Sequence, residues 1–150
     1  MSGRIVALVI VIVTAVFGAG LWYAQVHAFY EEIEAERINV QGESYPVSDW
    51  RGIDASSSPL KLRACFRLPE AAREDIAARL EPYPEATPLV PPGWFDCFDA
   101  GRLTADLEAG RATAYLAEEE EFEGANRILA VYPDGRAYMW RQLTPEFANQ

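Results

Sequence analysis

The hydrophobic and polar positions divide the chain into two regimes. Ile5 to Val26 is a run of 22 residues with no formal charge. At about 1.5 Å rise per residue such a helix spans roughly 33 Å, enough to cross a hydrocarbon core of about 30 Å. Its first half is crowded with β-branched residues (Ile5, Val6, Val9, Ile10, Val11, Ile12, Val13), a mediocre choice for a soluble helix. In lipid the backbone must satisfy its own hydrogen bonds, so a helix is expected regardless. Trp22 and Tyr23 then fall at the far end, where aromatic rings favour the headgroup level.

Beyond that run the pattern becomes globular. The polar residues to about Glu36 read as a stalk continuing the helix. Ile38 to Asp54 reads as irregular chain with one short strand at most, broken by Gly42, Pro46 and Gly52. Leu60 to Phe66 alternates with period two and predicts a strand. Pro69 opens a helix whose apolar stripe is Ala71, Ala72, Ile76 and Leu80, and Pro82 stops it. Tyr83 to Gly93 holds four prolines and predicts an extended loop lying on the core. Asp99 can cap a second helix anchored by Leu103 and Leu107 and ended by Gly110. Three strands follow, at Ala112–Ala117, Asn126–Tyr132 and Ala137–Leu143. The last two flank Pro133-Asp134-Gly135, a tight-turn signature, and form the clearest hairpin in the chain. The expected fold is α+β: one N-terminal transmembrane helix, then a small domain with an antiparallel sheet carrying two helices on one face. The expected boundaries are a cytoplasmic N-terminus at 1–4, a transmembrane helix at 5–26, a stalk and irregular linker at 27–54, and a periplasmic domain at 55–150.

Charge adds a direction. From Ala28 onward the chain holds 12 basic and 23 acidic residues, a net charge of −11, while Arg4 is the sole charged side chain before that point. A field of that sign repels phosphate backbones, so nucleic acid is excluded as a natural partner, and cations or a basic protein patch are favoured. Arg4 and the terminal amine on one flank, against Glu31, Glu32, Glu34 and Glu36 on the other, place the N-terminus in the cytoplasm. The reading taken is an uncleaved anchor, because the apolar run exceeds the length of a signal-peptide core. Val26 and Ala28, small residues at the positions a signal peptidase reads, leave cleavage as the alternative. Small residues recur at four-residue spacing, Thr14 with Gly18 and Ala15 with Ala19. That spacing suits close helix packing, with an integral membrane protein complex or a second copy of the chain as partner, although membrane helices are often rich in small residues.

The two cysteines, Cys65 and Cys97, both lie in the exported region, where an oxidising compartment favours a structural disulfide. The single histidine, His27, lies at the membrane interface, so a Ser-His-Asp triad, a Cys-His pair or a histidine-rich zinc site in the external domain is excluded. Ser58 to Lys61 has the spacing of a Ser-x-x-Lys motif but lacks a Lys-Thr-Gly partner element and leads into a strand. The acidic run Glu118–Glu121 with Glu123 reads as a solvated loop rather than a calcium loop. Trp94, Phe95, Asp96 and Asp99, beside Cys97, form either core around the bridge or a recognition surface, with core the better reading. No catalytic residue, cofactor or metal is expected. The function that fits is a non-enzymatic accessory or interaction subunit of a membrane complex. The alternative is a periplasmic domain that binds or senses a ligand or divalent ion near Trp94, Asp96 and Asp99.

Gly52-Ile53-Asp54-Ala55, Arg63-Ala64-Cys65-Phe66, Trp94-Phe95-Asp96-Cys97-Phe98-Asp99 and Tyr132-Pro133-Asp134-Gly135-Arg136, behind an N-terminal anchor, carry a resemblance. The chain resembles an uncharacterised family of short membrane-anchored proteins from alphaproteobacteria. The resemblance implies a bacterial inner-membrane setting with a periplasmic domain, and brings no established activity or catalytic residues.

Overall fold

A computed structural model describes residues 2–150. The chain forms two compact units, the first ending at Tyr30 and the second running Glu31–Gln150. The first unit is helix α1 (Gly3–Tyr23), which widens into a π-helical turn at Ala24–Ala28. No residue of this helical segment is buried, and by length and composition it can cross a membrane; a signal sequence meets the same criteria. His27 lies against the rings of Trp22 and Tyr23, with centroids 5.4 and 5.6 Å away.

The second unit is built on a six-stranded, wholly antiparallel sheet in the order β1-β4-β5-β8-β7-β6. Its strands are β1 (Glu31–Ile33), β4 (Ser48–Asp54), β5 (Arg63–Arg67), β6 (Thr113–Phe122), β7 (Ala125–Val131) and β8 (Arg136–Leu143). A separate hairpin, β2 (Arg37–Val40) and β3 (Glu43–Pro46), turns through Gln41 and Gly42, both at positive φ. That pair of dihedrals is the mirror-image turn that matches strand twist. The helices are α2 (Glu70–Arg79), α3 (Ala100–Glu108) and the short α4 (Pro145–Ala148).

Register fixes which side chains share a face. Ala64 and Phe66 of β5, Ala137 and Met139 of β8, Leu129 of β7 and Tyr115 of β6 line one face. There they pack with Ile38, Val40 and Tyr45 of the hairpin and with Ala72 and Ile76 of α2. The opposite face carries Cys65, Tyr138, Trp140 and Ile128. Phe98, just before α3, meets Tyr138 and Trp140 edge-on there. The helices therefore lie on opposite faces, not on one. The proline-rich loop carries the chain past the β6 edge, where the Tyr83 amide donates to the Ala114 carbonyl (2.7 Å). Gln41 takes the next stretch, donating from its amide to Ala117 and from its side chain to Leu116. These bonds occupy an edge that would otherwise pair with another chain.

Three segments differ from the sequence reading. The helical path ends at Ala28, and after Phe29 and Tyr30 the chain enters β1 instead of a stalk reaching Glu36. Residues 31–54, expected as linker, supply four strands, because β1 and β4 gain their hydrogen bonds from partners distant in sequence. The acidic run Glu118–Glu121 is the second half of β6, bulged at Glu120 (φ 44°), not a loop. In α2, Ala72 and Ile76 are buried whereas Ala71 faces solvent.

Close approach matters at Gly52. A Cβ there would lie 2.8 Å from the Trp50 indole, whose Nε1 donates to the Ile33 carbonyl and whose ring stacks on Phe66. Gly52→Ala is expected to cost about 1–3 kcal/mol through overpacking. Urea denaturation checks this, and an unchanged midpoint would contradict the packing described.

Candidate functional site

Three places on the molecule combine exposed or buried polar groups with fixed geometry. The first is the disulfide Cys65–Cys97, with Cα atoms 6.3 Å apart, tying β5 to the loop before α3. Around it the sequence-selected residues separate. Phe95 and Phe98 are buried, whereas Trp94 is 36% exposed and Val90, earlier in the same stretch, 80%. Asp96 projects outward and pairs with Arg51 at 2.9 Å, and the Arg51 guanidinium lies over the Phe95 ring. An exposed pair of this kind contributes little to stability. Asp99 caps α3, accepting from the Arg102 amide at 2.9 Å.

α3 delivers the second group. Its Asp106 carboxylate accepts from the Tyr132 hydroxyl (2.6 Å) and from Arg111 Nε (2.7 Å). The Tyr132 hydroxyl, then Arg111, hold the Asp106 carboxyl below the usual carboxylate range; burial and the Asp106 carboxylate push the Tyr132 phenol up. A carboxyl whose folded pKa is depressed stabilises the fold above its unfolded pKa of about 3.9, and that contribution fades as pH falls through the folded value. Asp106→Asn should therefore flatten the acid limb of the stability profile. Urea midpoints taken from neutral pH downward test it, and a variant curve merely parallel to the wild-type curve would contradict the linkage.

The third group joins residues from separate strands that the sequence reading did not bring together. Arg127 of β7 and Arg141 of β8 stand directly opposite each other. Like charges so placed repel. Glu121 resolves the conflict by accepting from Arg127 Nη1 (2.7 Å) on one oxygen and from Arg141 Nε (2.5 Å) on the other. Arg141 Nη1 also donates to Asp54, at 2.9 and 3.1 Å, and the Phe122 ring lies 4.8 Å from its guanidinium carbon. Asp54, Glu121 and Arg141 thus join the ends of β4, β6 and β8. Beside them opens a cavity of about 510 Å³, bordered by Glu31, Ser56, Ser58, Phe122 and Arg141.

Other polar side chains pin the proline-rich loop. Arg63 is buried and donates to the carbonyls of Leu89, Leu60 and Leu62 at 2.6–2.7 Å and to that of Val90 at 3.4 Å. The Gln142 side chain accepts from the Thr87 amide and from Trp140 Nε1 and donates to the Glu85 carbonyl. Ser58 accepts from the Leu60 amide and so caps a 3₁₀ turn at Pro59–Lys61. Thr14, Ala15, Gly18 and Ala19 all lie on the unburied helix α1, with the Thr14 hydroxyl donating to the Ile10 carbonyl. Among the described residues no cluster of three or more His, Cys, Asp or Glu is placed to hold a metal ion. Periodicity could have flagged Arg63 and Arg141, which occupy positions in strongly apolar strands.

Fold and site together define a small disulfide-bonded α+β domain carried behind a helix able to cross a membrane. The chain belongs to the family of unknown function DUF6446, whose profile matches residues 33–149. No curated protein and no solved structure matches the chain.

Proposed function

We propose that this is a non-enzymatic, single-pass protein of a bacterial inner membrane, with its N-terminus in the cytoplasm and its acidic domain in the periplasm. In this reading it serves as an accessory or interaction subunit of a membrane complex. One observation carries it. An apolar helix with no buried residue precedes, in the chain, a folded, disulfide-bonded domain. Such a helix needs lipid or a protein partner to cover it, and its Thr14, Ala15, Gly18 and Ala19 face suits close packing against another helix or its own copy. The net charge of the external region suits a cationic protein partner.

Two measurements test this. A C-terminal alkaline-phosphatase fusion should be active and a green-fluorescent fusion dark; the reverse pattern contradicts the orientation. Chain extracted in mild detergent should retain residues 1–28 by mass and migrate on native gels with a second protein or copy. Migration as a lone monomer contradicts the subunit reading.

A second reading, a periplasmic domain that binds a small ligand, is favoured by the cavity beside Arg141. It moves the ligand away from Trp94, Asp96 and Asp99, where the sequence alone had placed it.

A further inference from the structure

We infer that the cavity beside Arg141 binds a small zwitterion bearing both a carboxylate and an ammonium group, as an α-amino acid does. The inference rests on the ligand-binding reading and is independent of the subunit reading.

Arg141 supplies the first half of the argument. Its side chain is only 9% exposed. It uses Nε on Glu121 and Nη1 on Asp54 and the Pro59 carbonyl. Nη2 has no hydrogen-bond partner among the described residues, yet the side chain lines the cavity. A guanidinium edge held by two carboxylates and a ring is a pre-organised donor for a carboxylate.

Glu31 supplies the second half. It borders the same cavity and stands directly across β1–β4 from Asp54. Like charges so paired destabilise a sheet. Arg141 neutralises Asp54, whereas Glu31 has no ion pair among the described residues. A cationic group at Glu31 would relieve the repulsion.

Charge excludes simpler ligands. Glu31, Asp54 and Arg141 leave the lining at a net −1. A bare anion would be repelled, and a bare cation would leave Nη2 unused and face the guanidinium. A neutral sugar would leave Glu31 uncompensated. A zwitterion answers both groups. Ile33 and Phe122, the latter 48% exposed, offer an apolar wall for a side chain. The volume lies within the usual range for small-molecule sites.

The test uses the full chain in mild detergent, titrated calorimetrically with the free amino acids, with their esters and N-acetyl forms, and with neutral sugars. At least one free amino acid should bind, while its ester and its N-acetyl form should not. Glu31→Gln, at an exposed position without an ion pair among the described residues, should weaken that binding by about tenfold to a hundredfold while the melting temperature stays the same or rises slightly as the repulsion from Asp54 is relieved. Unchanged affinity in Glu31→Gln would overturn the location. Binding of sugars, or of esters as well as free acids, would overturn the zwitterion while preserving the ligand-binding reading. Silence across all probes would overturn both.

Discussion

Replacing Cys65 and Cys97 by alanine is expected to lower the stability of the disulfide-bonded domain by about 3.7 kcal/mol in the chain-entropy account. The two residues are 32 apart in sequence, and the loop they close contains all of α2 and the proline-rich segment. Without the bridge, that stretch gains freedom in the unfolded chain at once. In the folded chain, packing of Phe95 and Phe98, the Arg63 guanidinium over the Phe98 ring and the Arg63 bonds to Leu89 and Val90 would still hold this loop to β5. For a domain of this size the loss corresponds to a melting temperature lower by roughly 15 °C. Calorimetry of the variant, and of the wild-type chain under reductant, should agree. A shift of only a degree or two in both would show that packing alone fixes the loop.

Arg141→Met should destabilise by about 3–5 kcal/mol, the usual cost of removing one partner from a buried ion network. The change leaves Asp54 and Glu121 without the guanidinium that joins them, with Asp54 already opposite Glu31 across the β1–β4 pairing and Glu121 on the same strand as Glu118. It also removes the cation that the Phe122 ring covers. The contrast is informative, because Arg51→Met, which removes the exposed pair with Asp96 and the guanidinium over the Phe95 ring, should cost only about 1 kcal/mol. Equal effects of the two variants in urea denaturation would mean that the Asp54–Arg141–Glu121 group is no more than a surface arrangement. A triple variant replacing all three by apolar residues of similar volume should recover most of the loss, since the desolvation cost leaves with the charges.

The sequence by itself determined the parts whose signal is local. An uncharged run of sufficient length specifies helix α1, apolar and long enough to cross a membrane, because in lipid its backbone can be satisfied only within itself. Pro133-Asp134-Gly135 specifies the β7–β8 turn, with Gly135 at φ 98° and Asp134 accepting from the Arg136 amide. Asp99 and Gly110 mark the ends of α3 through one side-chain cap and one positive φ. Tertiary structure decided the rest. Residues 31–33 and 48–54 become strands because β4 borrows its pairing from β5 and β1 from β4, and no period within Ser48–Asp54 announces that. Glu118–Glu121 become strand because the segment pairs with β7 and because Arg127 on β7 and Arg141 on β8 both meet Glu121. α3 lies on the face opposite α2 because Cys97 is drawn to Cys65 and Phe98 to Trp140, contacts between positions that local periodicity cannot relate. Backbone propensity and turn chemistry act over a few residues, whereas strand pairing, charge compensation and the choice of face depend on which distant residue arrives.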